Sequence, residues 1–276
     1  MSSRLAVLGQ PIFHSRSPAM HNAALAKLGL AAEWSYEAIE VAPNDFEARV
    51  RALAGEGFVG VNVTVPHKIA ALAVADRASE AAREIGAANT LSFAEGRIVV
   101  AENTDALGFL ESLPEAPAGK RALVLGAGGS ARAIVWALVK SGAQVHIWNR
   151  TPERAQRLAD ELGASAIEAR GAWRVPSGDF DLIVNATTVG MGSAPGGPGS
   201  DLKALHLDPD SFAKGHRVVD LAYGPSETEL ARAALARGAG VVDGLEVLVR
   251  QGAASLRIWT GIDPPVETMR RAARQR

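Results

Sequence analysis

The strongest constraint on the fold is an alternation along the chain between short apolar runs rich in β-formers and helical stretches rich in Ala, Leu and Arg. The apolar runs are LAVLG, VGVNVTV, RALVLG, QVHIW, FDLIVNA and HRVVDLA. This rhythm is typical of βαβ units, in which helices join parallel strands and cover the sheet. At 276 residues, the chain exceeds the usual size of one domain and is short for three. We therefore predict an α/β fold with two domains.

Composition narrows the class of protein. The chain has no cysteine, which excludes disulfides, thiolate nucleophiles and cysteine-ligated metals, and its six histidines lack metal-ligand spacing, so we predict no metal site. A net charge of −1 gives no electrostatic reason to bind nucleic acid or an anionic membrane. The apolar runs are too short for a signal peptide or a membrane span. We expect a cytoplasmic enzyme or binding protein with small-molecule partners.

The segment GVNVTVPHK, residues 60–68, combines a strand pattern with polar groups. In a strand, Asn62 and Thr64 share one face, Pro66 ends the ladder, and Lys68 follows in the first turn of a helix. Amide, hydroxyl and amine would then converge at the carboxyl end of a strand, where open α/β sheets bind small molecules. The alternative is an edge strand with a polar outer face and a solvated lysine.

A glycine-rich turn lies between the strand RALVLG and the helix that follows it. Its residues are Gly126, Ala127, Gly128, Gly129, Ser130 and Ala131. This Gly-x-Gly-x-x-Ala pattern predicts a dinucleotide site, because the first glycine permits a tight turn and the second lets the backbone approach a pyrophosphate. The helix amino terminus adds free N–H groups and partial positive charge. The alternative is a glycine-rich turn without a ligand.

The residues after the next strand favour NADP over NAD. An NAD site usually has an acidic residue there, but this chain has Asn149, Arg150, Thr151 and Arg154. Guanidinium and hydroxyl groups attract a 2′-phosphate, which a carboxylate would repel. For Arg154, a solvated arginine in the first turn of a helix is the alternative.

Other polar clusters lie near the amino terminus and in the middle of the chain. Ser15 and Ser17 precede the helix PAMHNAALAKLG, and helix capping by Ser17 is an alternative explanation. Asn89 lies in GAANT and Asp105 in ENTD, and either segment could be an ordinary turn. The loop GMGSAPGGPGSD, residues 190–201, is rich in Gly and Pro, so we expect it to be mobile and able to close over a ligand.

Taken together and in this order, the motifs resemble the shikimate/quinate dehydrogenase family. The matching segments are GQPIFHSRSPAMHN, GVNVTVPHK, GAANT, ENTD, GAGGSA, NRT with Arg154, NATTVGM, VVDLAYGP and DGLEVLVRQ followed by WTG. The resemblance covers nearly the whole chain. It departs at Val247, where the family often has Met, and at Leu256, where it often has Phe. Both changes replace one apolar residue by another and affect packing only.

The resemblance implies an N-terminal substrate-binding domain (1–104), a Rossmann-type NADP-binding domain (105–243) and a C-terminal segment (244–276). The helix from Leu245 to about Thr260 would return to the substrate domain, which its periodicity alone does not indicate. The oligomeric state stays open between monomer and homodimer.

The implied reaction is the reversible reduction of 3-dehydroshikimate to shikimate with NADPH, in aromatic amino-acid biosynthesis. The residues that would hold the substrate are Ser15, Ser17, Asn62, Thr64, Lys68, Asn89, Asp105, Tyr223 and Gln251. The residues that would line the cofactor are Gly126, Ala127, Gly128, Gly129, Ser130, Asn149, Arg150, Thr151, Arg154, Thr187, Leu221 and Gly244. Glu80 matches a position sometimes assigned to the cofactor, but an acid on a solvated helix face explains it more simply.

Chemistry gives two of these residues a role. Hydride transfer to a ketone builds negative charge on oxygen, and with no metal signature an amine is the natural proton donor. Our hypothesis is that Lys68 donates this proton, accepts it in the reverse direction, and is oriented by Asp105. Two alternatives remain: a quinate/shikimate dehydrogenase with relaxed cofactor use, and a non-catalytic NADP-binding sensor.

Overall fold

The computed structural model describes residues 3–168, 175, 177–191, 200–224 and 226–275. The chain divides into two compact units. The first unit comprises Met1–Glu111 and Leu248–Arg276, and the second comprises Ser112–Val247. The predicted fold class is confirmed, including the return of the C-terminal helices to the first unit. Most of the loop 190–201, which we expect to be mobile, lies outside the described residues.

Strands and helices alternate through the amino-terminal part of the chain. Its elements are β1 (Ser3–Gly9), α1 (Ser17–Lys27), β2 (Trp34–Glu40), α2 (Phe46–Leu53), β3 (Phe58–Val63), α3 (Lys68–Ala73), β4 (Arg77–Ala78), α4 (Glu80–Ile85), β5 (Thr90–Ala94), β6 (Ile98–Glu102) and α5 (Asp105–Ser112). They form one sheet of strand order β2-β1-β3-β5-β6-β4. The sheet is mixed, because β5 runs antiparallel to β3 and β6 while β1 is parallel to both its neighbours. A tight hairpin, in which Ala94 faces Ile98, turns β5 into β6 and causes this departure from the parallel rhythm.

The remaining elements form the second unit and the C-terminal helices. They are β7 (Arg121–Leu125), α6 (Gly129–Lys140), β8 (Gln144–Trp148), α7 (Pro152–Leu162), β9 (Ser165–Ala166), β10 (Leu182–Asn185), α8 (Ser200–Ala204), β11 (Arg217–Asp220), α9 (Glu229–Ala236), β12 (Gly240–Asp243), α10 (Gly244–Thr260) and α11 (Val266–Arg274). The second sheet has the order β12-β11-β10-β7-β8-β9, and all its strand pairs are parallel. This is the doubly wound arrangement expected of a Rossmann-type domain.

The first sheet is buried on both faces, which explains its nearly continuous apolar strands. In β1, Leu5 and Val7 pack with α1 and α10, whereas Ala6 and Leu8 face the opposite core with α2. This period-2 division is what a strand covered on two sides requires. The C-terminal helices therefore complete one of the two cores of the first unit.

The second unit has a core of its own. Leu123 of β7, Ile183 of β10 and Val218 of β11 pack against Leu230 and Ala234 of α9. Within the described part of the chain, no helix is both long enough and apolar enough to cross a membrane.

Candidate active site

Lys68 and Asp105 form an ion pair in the first unit. Lys68 is the first residue of α3 and Asp105 the first residue of α5, and Lys68 Nζ lies 2.5 Å from Asp105 Oδ2. The side chains are 12% and 13% exposed. Both charged groups are thus mostly removed from water. In this less polar surrounding, their attraction is stronger than it would be at an open surface. The lysine is therefore not the solvated residue of the alternative interpretation.

Two asparagines fix the aspartate. Asn103 Oδ1 accepts hydrogen bonds from the backbone N–H groups of Asp105, at 3.1 Å, and Ala106, at 3.3 Å, and so caps α5. Asn89 Nδ2 donates to Asp105 Oδ1 at 2.9 Å. Both carboxylate oxygens are therefore engaged, one by the lysine and one by the amide.

Asn89 is the centre of a buried polar network. It is 1% exposed, and besides Asp105 its Nδ2 lies 2.9 Å from Thr104 Oγ1 and 3.0 Å from Gln251 Oε1. Its Oδ1 accepts from the Thr104 backbone N–H at 2.7 Å. An amide has two N–H protons, and three acceptors share them here. The network links α10, which carries Gln251, to the start of α5.

Asn62 lies in the same network. It is 5% exposed, so the interpretation of a polar outer strand face is wrong for this residue. Its Oδ1 accepts from the Tyr36 hydroxyl at 2.7 Å, and its Nδ2 donates to Thr90 Oγ1 at 3.2 Å. Sequence reasoning missed Tyr36, Thr90 and Thr104. The period-2 pattern of WSYEAIE does place Tyr36 inward, but nothing in it specifies a partner.

The serine loop and Thr64 lie at neighbouring strand ends. α1 begins at Ser17 with Arg16 as its N-cap, so Ser17 does not cap the helix; instead, Ser15 Oγ accepts from the Ser17 backbone N–H at 3.3 Å. Thr64 follows β3, and a Cβ added to Gly9 would lie 2.5 Å from Thr64 Cγ2. Because Gly9 ends β1, the loop that carries Ser15 and leads to Ser17 starts beside Thr64.

The glycine turn of the second unit has the geometry that the sequence predicts. Gly126 has φ +109°, which favours glycine, and its N–H donates to Trp148 O at 2.8 Å. Gly128 is the N-cap of α6, and a Cβ built on it would meet no atom within 4 Å. Ala131 is fully buried in the first turn of α6. The open space at Gly128, above the amino terminus of α6, fits a phosphate group.

The residues predicted to bind the 2′-phosphate lie around the start of α7, and all except the half-buried Asn149 are exposed. Thr151 is the N-cap of α7, Asn149 Nδ2 donates to Thr151 O at 2.9 Å, and Arg150 and Arg154 are exposed. Among the described residues, no carboxylate oxygen lies within 4.0 Å of either guanidinium. By contrast, Arg132 pairs with a glutamate of α7 at 2.5 Å. Both arginines before and in α7 are thus available to an anionic ligand.

The remaining predicted residues of the second unit follow the carboxyl ends of β10, β11 and β12. Thr187 donates its hydroxyl to Asn185 Oδ1 at 2.7 Å, and Leu221 N–H donates to Asn185 O at 3.0 Å. A Cβ on Gly244 would lie 2.5 Å from Leu221 O, so only glycine allows this approach. Tyr223 follows β11 and belongs to the second unit, unlike the other predicted substrate residues.

Glu80 lies on a solvated helix face. It is exposed in the first turn of α4, where a carboxylate interacts favourably with the helix dipole, and Ser79 caps that helix by accepting from Ala82 N–H at 3.2 Å. In the described ranges, no group of three or more His, Asp or Glu side chains has metal-binding geometry.

Three family models match separate segments of the chain. Residues 7–91 match the model described as shikimate dehydrogenase substrate binding domain. Residues 111–189 match shikimate / quinate 5-dehydrogenase, and residues 244–274 match the shikimate 5'-dehydrogenase C-terminal domain.

Individual relatives match over almost the full length. The shikimate dehydrogenase (NADP(+)) of Acidiphilium cryptum is 46% identical over 96% of this chain and 93% of that protein. The crystal structure of shikimate 5-dehydrogenase from Thermus thermophilus, in complex with NADP(H) and shikimate, has a TM-score of 0.84 at 43% identity and covers 99% of this chain and 98% of that one. Quinate dehydrogenase from Corynebacterium glutamicum, in complex with NAD, has a TM-score of 0.83 at 32% identity, with 98% of each chain covered. The chain therefore belongs to the shikimate dehydrogenase family.

Proposed function

We propose that this protein catalyses the reversible, NADPH-dependent reduction of 3-dehydroshikimate to shikimate in aromatic amino-acid biosynthesis. The observation that carries the proposal is the Lys68–Asp105 pair, with 2.5 Å between Nζ and Oδ2 and a small exposed fraction on both side chains. An amine held this way can exchange a proton with a bound ligand while remaining shielded from bulk water.

The second unit supplies a site that fits NADP. The open cradle at Gly128 and the positive φ of Gly126 suit a pyrophosphate. Arg150 and Arg154, which have no carboxylate partner in the described part of the chain, suit a 2′-phosphate. The residues that would line the site are Gly126, Ala127, Gly128, Gly129, Ser130, Asn149, Arg150, Thr151, Arg154, Thr187, Leu221 and Gly244. When bound, the reduced nicotinamide supplies the hydride.

Lys68 supplies the proton of the reaction. Reduction forms a C–H bond from the hydride and leaves negative charge on the carbonyl oxygen, which the Lys68 ammonium neutralises by giving up one N–H proton. The amine left behind must take a proton before the next cycle. In the direction of shikimate oxidation, Lys68 starts as the amine and takes the hydroxyl proton.

Asp105 orients the ammonium and accepts a hydrogen bond from a substrate hydroxyl. Because Asn89 and Asn103 hold the aspartate from two sides, Asp105 needs little reorganisation during the reaction. Ser15, Ser17, Asn62, Thr64, Asn89, Tyr223 and Gln251 complete the substrate site in this proposal. Their hydroxyl and amide groups offer both donors and acceptors, as a polyhydroxylated carboxylate requires. In the network, Asn62 and Asn89 also keep the pair in place.

Cofactor choice follows from charge. The guanidiniums of Arg150 and Arg154 favour the 2′-phosphate of NADPH, and no acidic residue occupies the usual NAD position after β8. We therefore propose NADP as the cofactor of this chain, although the similar quinate dehydrogenase structure contains NAD. A biosynthetic reaction of small metabolites supports a cytoplasmic location, which we propose here. The oligomeric state stays open between monomer and homodimer.

One assay tests this function against its alternatives. The purified protein is given shikimate or quinate with NADP⁺ or NAD⁺, and reduced nicotinamide is followed by absorbance. We expect rapid turnover with shikimate and NADP⁺ only. Comparable turnover of quinate or with NAD⁺ would indicate a quinate/shikimate dehydrogenase of relaxed specificity. NADP⁺ binding without turnover of either substrate would indicate a sensor and contradict the proposal.

A further inference from the structure

Two buried polar side chains end neighbouring strands of the second sheet and have no role in the proposed chemistry. Asn185 ends β10 and Asp220 ends β11, and the two residues are partners in the parallel register. They are 1% and 2% exposed. Burial raises the pKa of the Asp220 carboxyl, although hydrogen bonds from Thr228 and Asn185 act in the opposite direction. A carboxyl group is thus kept in the interior at an energetic cost.

The hydrogen bonds of these side chains join three separate segments. Asp220 Oδ1 accepts from Asn185 Nδ2 at 2.8 Å and from the Ala222 N–H at 3.1 Å, and its Oδ2 accepts from the Thr228 hydroxyl at 2.6 Å. Asn185 Oδ1 accepts from the Thr187 N–H at 3.1 Å and its hydroxyl at 2.7 Å. The loop after β10, the loop after β11 and the start of α9 are therefore tied to one pair, here named the Asn185–Asp220 brace.

Stability alone gives a poor account of the brace, because buried polar or charged pairs can often be replaced by well-packed apolar residues without loss of stability. The position of the brace beside the proposed cofactor site explains it better. The brace touches Thr187 directly and lies next to Leu221 in the chain, and both belong to the proposed cofactor site.

We infer that Asp220 is a positioning residue for the cofactor, acting through Asn185 to hold residues 186–189 and 221–224 in the shape that binds NADPH. The inference rests on the proposed function. The donors and acceptors of the brace all belong to the protein itself, so the brace can order the loops independently of the cofactor and lower the ordering cost of association.

The first test is a fluorescence titration with NADPH. Asp220→Ala should weaken NADPH binding about 10-fold, since the loops lose a charge-assisted tie, and should raise KM for NADPH by a similar factor. At saturating NADPH, kcat should stay within about 2-fold, because no reacting group is changed. Ser177→Ala is the matched control: it removes a partly buried hydrogen bond of 2.5 Å to Ser211 Oγ in the same unit and should leave binding unchanged.

A second measurement needs no cofactor. In the ligand-free protein, amide hydrogen exchange at Thr187 and Ala222 should accelerate by about 10-fold or more in Asp220→Ala and less in Asp220→Asn, which keeps the shape of the side chain. If Asp220→Ala does not fold, the NADPH titration and the exchange measurement are both made on Asp220→Asn. Unchanged affinity with unchanged exchange would overturn the inference. If the unaltered protein failed to bind NADPH, the proposed function would fall, whereas the exchange result would still decide whether the brace holds the loops.

Discussion

The proposed chemical site of the first unit and the proposed cofactor site of the second differ in how their charged groups are paired within the protein. In the first, Lys68 and Asp105 pair with each other and are mostly buried, and Asn89 donates a hydrogen bond to the second carboxylate oxygen. In the second, Arg150 and Arg154 are exposed and, among the described residues, without a carboxylate partner. The groups proposed to move a proton are thus paired with each other, whereas the groups proposed to recognise a phosphate are exposed to solvent. Variants in the two regions should fail in different ways.

The largest expected effect is on turnover from the first region. Lys68→Ala should lower kcat by about 10²–10⁴-fold, the usual contribution of a positioned acid–base group, while leaving NADPH affinity unchanged. Steady-state kinetics and an NADPH titration measure the two quantities. Lys27→Ala, which removes an exposed lysine at the end of α1, is the control. Near-normal turnover would remove Lys68 from the mechanism.

Arg150→Ala should produce the opposite pattern. Losing a charge-assisted phosphate contact should weaken NADPH binding by about 1.5–3 kcal/mol and leave NADH binding and kcat nearly unchanged. Titrations with both nucleotides measure the effect, and Arg157→Ala on the exposed face of α7 is the control. Equal losses for the two nucleotides would exclude a 2′-phosphate contact.

Two glycine variants, one in each region, should differ in their effect on the stability of the protein. A Cβ on Gly108 would lie 2.5 Å from the Gln251 backbone nitrogen, so Gly108→Ala should destabilise the protein by about 1–3 kcal/mol without any ligand. Gly128→Ala meets open space and should leave stability unchanged but weaken NADPH binding, since the methyl group occupies the phosphate cradle. Urea denaturation and NADPH titration of both variants measure these effects. A destabilised Gly128→Ala protein with normal affinity would contradict the open cradle.

The last expected effect is on stability, and at neutral pH it is the smallest, because it depends on the protonation of a buried histidine of the first unit. His21 is fully buried, stacks on Tyr36 at 4.1 Å, and burial lowers its pKa to about 3. In the unfolded chain, His21 binds a proton as the pH falls through about 6.5, whereas in the folded chain it stays neutral until the pH approaches 3. Stability should therefore be unaffected by His21 above that pH and fall by about 1.4 kcal/mol per pH unit between pH 6.5 and 3.

Replacing the imidazole tests this linkage. His21→Phe keeps an aromatic ring for stacking. Between pH 6.5 and 3, its free energy of unfolding should depend less steeply on pH, by the amount that one proton contributes. Urea denaturation at several pH values measures this slope. An unchanged slope in His21→Phe would show that His21 is protonated in the folded protein.

Much of the fold could be predicted from patterns of residues that are close together in the sequence. The fold class and family membership are confirmed, because strand alternation and the glycine turn are set by neighbouring residues. The sequence could not predict the Tyr36–Asn62 hydrogen bond, which reaches from β2 to β3 across the intervening β1. Asn185 and Asp220 meet only through the register of two strands. The domain boundaries and the roles of the site residues stay predictions.

The central claim is that Lys68 and Asp105 act as one unit in proton transfer. It is tested most directly by the single-turnover rate of NADPH formation from saturating shikimate and NADP⁺, in Lys68→Ala, Asp105→Asn and the double variant. Groups that act together are strongly non-additive, so the double variant should be about as slow as the slower single variant. A double variant whose loss equals the product of the two single losses would contradict the account.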